Sequence, residues 1–256
     1  RYMGIPHVVR VVHGMPEPFK GLKNVKMAGY TIADRFVTGW LVDKVIAVSS
    51  DIEQALLRTY DAARIVRIHN GIDLEAVRVT TQRPDMRRKW NIDDKAVLIG
   101  TVGRLVPVKG HARLLEAFRI LSQSVQNVIL LFVGDGPLRE QLETEAKRLG
   151  LDQSVIFSGH QETSYDFINM MDIFVLPSLH EGIPMVLLEA FALKRAVIAS
   201  RVGGIPEVVS HGYSGVLVSP TNAGDLASAM KSLIEDPSKS IVFGAAGRGQ
   251  AESEFS

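Results

Sequence analysis

The chain has 256 residues, no cysteine, 46% hydrophobic residues and a net charge of +1. That length suits one large domain or two small ones, and the apolar content argues for a packed core rather than disorder. Without cysteine there are no disulfides or thiolate metal sites, which is compatible with the cytoplasm; no apolar run approaches the ~18 residues of a membrane span, and no stretch reads as a signal peptide.

In chain order, HVVRVV is the first strand candidate and leads into His13-Gly14. A helical pattern follows near 22–42, then the strand KVIAVSS and a helix near 51–60, for which Ser50-Asp51-Ile52-Glu53 fits a capping box. RIVRIHN is a third strand; Asn70-Gly71 signals a turn, and Asp73 reads as a helix cap. The polar run TTQRPDMRRKWNIDDK, with Pro84, reads as the connection to the next part. Residues 1–95 carry 16 Lys/Arg against 11 Asp/Glu (+5), and residues 96–256 carry 13 against 17 (−4). The basic first part fits an anionic acceptor, a membrane surface or an ordinary solvated face. No arginine-rich stripe with interleaved aromatics points to nucleic acid.

From there, AVLIGTV, NVILLFV, SVIF, DIFVL, AVIAS and GVLVS are short Val/Ile/Leu runs of the kind buried on both faces of a sheet. Between them lie helical stretches: HARLLEAFRILSQSV, PLREQLETEAKRLG, a shorter run near SYDFINMM, PMVLLEAFALK, IPEVVSHG and GDLASAMKSLIED. The alternation predicts an α/β fold: a Rossmann-like parallel sheet with helices on both faces, preceded by the incomplete end of a second such domain. We place the first, partial domain at 1–83 and the second at 84–256. In such sheets ligands bind beyond the carboxyl ends of the strands, so the loops there are the candidate site.

Two of those loops carry chemistry. GRLVPVKG, residues 103–110, sets Arg104 and Lys109 beside a helix start, where cations are unfavourable unless an anion binds between them and the helix dipole. It is not a P-loop, because Gly follows Lys109. In HEGIPMVLLEAFALK, residues 180–194, Pro184 suits the first helical turn, and Glu189 interrupts an otherwise apolar helix. A buried carboxylate needs partners: the hydroxyls of a sugar or ribose, a neighbouring arginine or the backbone. Gly134-Asp135-Gly136-Pro137 and Gly203-Gly204 read as tight turns, and His13, by position alone, as an incidental loop residue. The glycine spacing is incomplete for a dinucleotide fingerprint, which disfavours an NAD dehydrogenase. No pair of aspartates one residue apart, H-E-x-x-H or G-x-S-x-G occurs, so carboxylate-metal, zinc-protease and serine-hydrolase readings lack support.

Taken together, GRLVPVKG, VGDGP, HEGIPMVLLEAFA and GGIPEVVSHGYSGVLV resemble the nucleotide-sugar domain of GT-B glycosyltransferases. More narrowly, they look like the large retaining, family 4-like group that includes bacterial polysaccharide and lipopolysaccharide enzymes. HG at 13–14, VSS at 48–50 and NGID at 70–73 match the end of that family's acceptor-side domain. The resemblance implies that Arg104 and Lys109, with Gly103 in the same loop, would grip the donor diphosphate. Glu181 would hold hydroxyls of the transferred sugar, and the backbone of Gly182, Ile183 and Pro184 would lie near sugar and phosphate. Glu189 would take the ribose hydroxyls, Gly159-His160-Gln161 would lie against the base, and His13 would reach the donor sugar. It implies no cofactor and no metal, a nucleotide-sugar donor, a glycan or lipid-linked sugar acceptor, and a cytoplasmic enzyme with peripheral association at the inner membrane face.

The chain opens with Arg-Tyr rather than Met, and fewer than 95 residues precede the connection, so we expect a fragment that binds donor but transfers sugar poorly. Rival readings are a nucleotide-sugar epimerase or phosphorylase on the same fold, and a non-catalytic nucleotide-sugar-binding module.

Overall fold

The computed structural model describes residues 6–14 and 23–256. The chain divides into two compact units: Arg1–Asn70 with Glu181–Ile183, and Gly71–His180 with Pro184–Ser256. The boundary expected at 83/84 therefore falls within the second unit.

In the first unit, strands β1 (Val9–Val12), β2 (Lys44–Ala47) and β3 (Ile65–Arg67) form a parallel sheet in sequence order. Val9 sits opposite Lys44 and Val45 opposite Ile65. Parallel strands need crossovers, supplied by helices α1 (Lys23–Leu41) and α2 (Ser50–Leu57). Val45, Ala47, Val48 and Ile52 are buried between sheet and α2. The expected capping box is displaced by one residue. Ser49, extended at φ −150, accepts from Ile52 N at 3.4 Å and is the cap, whereas Ser50 already lies in the helix and its Oγ accepts from Arg67 Nη1 at 2.5 Å.

In the second unit, β4 (Val97–Val102), β5 (Val128–Val133), β6 (Val155–Phe157), β7 (Ile173–Leu176), β8 (Ala196–Ser200) and β9 (Val216–Val218) form one all-parallel sheet, ordered β6-β5-β4-β7-β8-β9. The order reverses between β4 and β7, and a crevice opens at such a point above the carboxyl ends. One face is covered by α4 (His111–Ser122), α5 (Arg139–Arg148) and α9 (Ala223–Glu235), whose Leu115, Phe118, Leu142 and Met230 share a core with Ile99, Phe132 and Ile198. The remaining helices are α3 (Arg83–Lys89), α6 (Tyr165–Met170), α7 (Met185–Ala192), the single turn α8 (Ile205–Val208) and α10 (Pro237–Glu254). No helix among the described residues is long and apolar enough to cross a membrane.

Three local expectations change. The polar connection contains α3, with Pro84 in its first turn and a fully buried Arg87. The guanidinium of Arg87 donates to the carbonyls of Met170, Asp93, Asp94 and Ala96 and, at 2.6 Å, to Asp172 Oδ2, which ties this segment to the sheet. Asp73 closes a turn rather than capping a helix: its Oδ1 accepts from Glu75 N at 2.9 Å and Ala76 N at 3.2 Å. Helix α10 was not anticipated. It lies so close to α7 that a β-carbon on Gly244 or Gly247 would overlap the Lys194 carbonyl or the Phe191 ring.

Candidate active site

The loop after β4 returns to meet the loop after β7. Leu179 N donates to Val108 O at 2.7 Å. Gly110 adopts φ +69, and a β-carbon there would overlap the Pro177 carbonyl oxygen. Only glycine satisfies both conditions, so the glycine after Lys109 is required by how closely these loops approach. The Lys109 side chain folds back along its own loop, with Cε 4.0 Å from the place a Gly103 β-carbon would take.

Leu105 N donates to Asp135 O at 2.9 Å, and Gly134 N donates to Gly159 O at 2.9 Å. The ends of β4, β5 and β6 are thus laced together, and Gly134 has no room for a side chain against the Gly103 carbonyl. They enclose a cleft of about 500 Å³ whose lining includes Gly103, Arg104, Asp135, His160, Gln161 and Ser164. This volume lies within the range of small-molecule sites. Arg104 and His160 are exposed, Gln161 is half-buried and donates from Nε2 to Ser158 O at 2.9 Å, and Gly159 is buried. Arg139 bonds the cleft-lining Asp135 at Oδ2, 3.2 Å, and Glu143 Oε1 at 2.8 Å.

Pro184, expected in the first turn of α7, is its extended N-cap at φ −77, ψ 120, because the helix begins at Met185. Glu189 is half-buried, and its Oε2 accepts a 2.6 Å hydrogen bond from Ser164 Oγ. Of the partners weighed for this carboxylate, the structure supplies a neighbouring hydroxyl. Because Ser164 also lines the cleft, it links Glu189 to Arg104, Gly103, His160 and Gln161. Nearby, burial raises the Tyr165 phenol above its ordinary range, helped by the charges of Glu189 and Asp73.

His111 opens α4, is 2% exposed and stacks edge-on against Phe132 at 5.6 Å. Its Nδ1 has no hydrogen-bond partner among the described residues. Burial, and secondarily the Lys109 charge, lower its pKa to about 4, so the ring is neutral through the physiological range.

Glu181, Gly182 and Ile183 belong to the first unit, as does His13, which is exposed after β1. There, a β-carbon on Gly182 would overlap the carbonyl of His13, and Asn70 Nδ2 donates to Ile183 O at 2.8 Å. Sequence reasoning missed Ser164 and His111. A hydroxyl 25 residues from its carboxylate leaves no spacing signal, and His111 reads as an ordinary first-turn residue. Among the described residues, no group of three or more His, Asp or Glu is placed to hold a metal ion.

A parallel sheet reversing beside β4, with its cationic loop and hydroxyl-bonded carboxylate at the carboxyl edge, preceded by a second parallel sheet, places the chain in the GT-B class. The chain belongs to the family described as glycosyl transferases group 1, which matches residues 82–250; glycosyltransferase family 4 matches residues 1–76. It is therefore a glycosyltransferase by family. Alpha-maltose-1-phosphate synthase of Mycolicibacterium smegmatis is 33% identical over 272 residues, covering 99% of this chain and 70% of that protein. The lipopolysaccharide core biosynthesis glycosyltransferase LpsD of Rhizobium meliloti is 36% identical over 163 residues, covering 64% of this chain and 46% of that one. Among solved structures, Anabaena HepE in complex with UDP and glucose superposes with a TM-score of 0.85 at 25% identity, covering 99% of this chain and 69% of that chain.

Proposed function

We propose that this protein transfers a sugar from a nucleoside-diphosphate-sugar to a glycan or lipid-linked acceptor, with retention of anomeric configuration and without a metal. One observation carries the reading: a single cleft joins the cationic loop at Arg104 to the ribose-suited Glu189 through Ser164. The complex of HepE with UDP and glucose, and relatives named for GDP-mannose-dependent and UDP-Gal-dependent transfer, support the same donor class.

In this reading the bond between the donor's anomeric carbon and the β-phosphate oxygen breaks as an acceptor oxygen bonds to the same carbon from the same face. Electrons of the broken bond pass to the diphosphate, which takes up the acceptor's proton. Arg104, Lys109 and the backbone donors of their loop stabilise the charge that develops there. Preorganised donors of this kind contribute ~3–4 kcal/mol each to lowering a barrier. Glu189 binds the ribose hydroxyls and His160 and Gln161 the base. Glu181 and His13 are assigned the transferred sugar on the family resemblance alone, Glu181 as an orienting residue rather than a nucleophile. A relative matched over nearly the whole chain is named alpha-maltose-1-phosphate synthase, so phosphorylated sugars belong among the acceptors to test.

A thermal-shift panel of UDP, GDP, ADP and their sugars, followed by NMR of the product, tests this. A ligand at 100 times its Kd stabilises by ~2.7 kcal/mol, a readable shift. The reading requires one nucleotide series to bind, a new glycosidic bond with the donor's anomeric configuration, and turnover that survives EDTA. No binding across the panel would overturn it, an altered free nucleotide-sugar would mean an epimerase, and an inverted product would remove retention.

A further inference from the structure

A second cavity, of about 650 Å³, opens at the opposite end of the second unit's sheet, where β4, β7 and β8 begin at Val97, Ile173 and Ala196. Its floor is apolar, formed by those strand ends with Leu233, Ile234 and Ile241 from α9 and α10. Its rim is cationic: Arg83, Lys194 and Arg195. Among the described residues one carboxylate lines it, Asp172, and it is already bound by Arg83 and by Arg87. β4 is six residues long, so at ~3.3 Å per residue this cavity lies roughly 20 Å from the cleft at the carboxyl ends.

Of the three cations, Arg83 is paired with Asp172, Arg195 is held by neutral carbonyls alone, and Lys194 is exposed. Arg195 donates to the carbonyls of Leu193 at 2.8 Å, Met171 at 3.1 Å and Asn169 at 3.3 Å, which fixes its guanidinium at the rim. Burial and the adjacent Arg83 charge push its pKa below the usual arginine range. Lys194 supplies a second, independent observation. Among the described residues, the non-glycine positions with positive φ are Asn91, Asn127 and Lys194. Asparagine tolerates that geometry through local hydrogen bonding, whereas lysine gains nothing from it and carries the β-carbon penalty. At φ +55, immediately after the α7 cap, glycine would be the relaxed choice. The chain instead keeps a flexible cation there, at the mouth of an apolar cavity.

We propose that this cavity binds an amphiphilic anion, with an aliphatic chain on the apolar floor and a phosphate or carboxylate head against Lys194, Arg195 and Arg83. The site is separate from the donor cleft and does not depend on how that cleft is read. Calorimetric titration of the whole chain with decyl phosphate tests it, with inorganic phosphate and decanol as the head-only and chain-only probes. Decyl phosphate is expected to bind one to one, at least tenfold more tightly than either probe, and without displacing UDP. Lys194→Gly is expected to keep or raise the melting temperature while weakening decyl phosphate about tenfold, equivalent to ~1.4 kcal/mol. Ala245→Phe, which fills the cavity from α10, is expected to abolish binding. The proposal is overturned if decyl phosphate does not saturate, if decanol binds equally well, if UDP competes with it, or if affinity is unchanged in both variants.

Discussion

His111 allows a quantitative test of how the loop at Lys109 is built. Its ring is 2% exposed, its Nδ1 lacks a partner among the described residues, and its pKa falls from 6.5 to about 4. The unfolded chain therefore binds a proton more readily than the folded one between those two values, so stability rises with pH across that window. The contribution is fully present above pH 6.5, declines as the pH falls and reaches its floor below pH 4. Applying the linkage relation to these two values, the loss between pH 7 and pH 5 is ~2 kcal/mol. In a chain of this size that lowers the melting temperature by roughly 4–8 °C. His111→Leu removes the titration and the unsatisfied nitrogen while keeping an apolar group against Phe132. The variant is expected to be at least as stable as wild type at pH 7 and to gain a further ~2 kcal/mol over it at pH 5. Urea unfolding at both pH values, followed by Trp90 fluorescence in the same unit, measures the difference. Parallel pH dependences for the two proteins would refute the assignment of a buried, neutral imidazole beneath this loop.

Three further outcomes follow from the same geometry. Lys109→Ala should lower turnover by about two orders of magnitude with little change in melting temperature, if the lysine meets charge that develops only in the transition state; near-normal steady-state rates would remove its role. Gly110→Ala should cost at least ~2 kcal/mol in urea unfolding, because the residue needs positive φ and a β-carbon there overlaps the Pro177 carbonyl. Arg87→Ala should cost ~3–5 kcal/mol, since it leaves the buried carbonyls of Met170 and Ala96 without this donor and removes one of the two arginines on Asp172, which keeps Arg83 and Leu98 N; a loss below ~1 kcal/mol would show that the network contributes little.

The sheets were legible in the sequence for one physical reason. Strands covered on both faces must be apolar throughout, and VILLFV, IFVL and AVIAS become β5, β7 and β8 with nearly every residue buried. The elements that were not legible break the usual link between composition and burial. Arginine normally reads as surface, yet Arg87 is 2% exposed because several carbonyls and one carboxylate converge on its donors. Glycine normally weakens a helix, but in α10 Gly244 and Gly247 let the backbone approach the Lys194 carbonyl and Phe191, and packing outweighs propensity. Neither signal exists until the tertiary contacts do.

The site shows the same division. Loops that follow strands can be read in order, and Gly103, Arg104, His160 and Gln161 do line one cleft. The reason an acid is tolerated within the apolar helix α7 could not be read, because the group that satisfies Glu189 lies on the chain just before α6. Ser164 resolves the problem without an ion pair. A neutral hydroxyl donates to one carboxylate oxygen at 2.6 Å without adding a positive charge, which fits the proposed role of Glu189 as an acceptor for a ligand's hydroxyls. An arginine in the same place would have stabilised the free protein more and competed with the ligand. A hydroxyl partner is what the proposed ribose role of Glu189 requires, whereas an acid kept only for structure would be expected to carry a cationic partner.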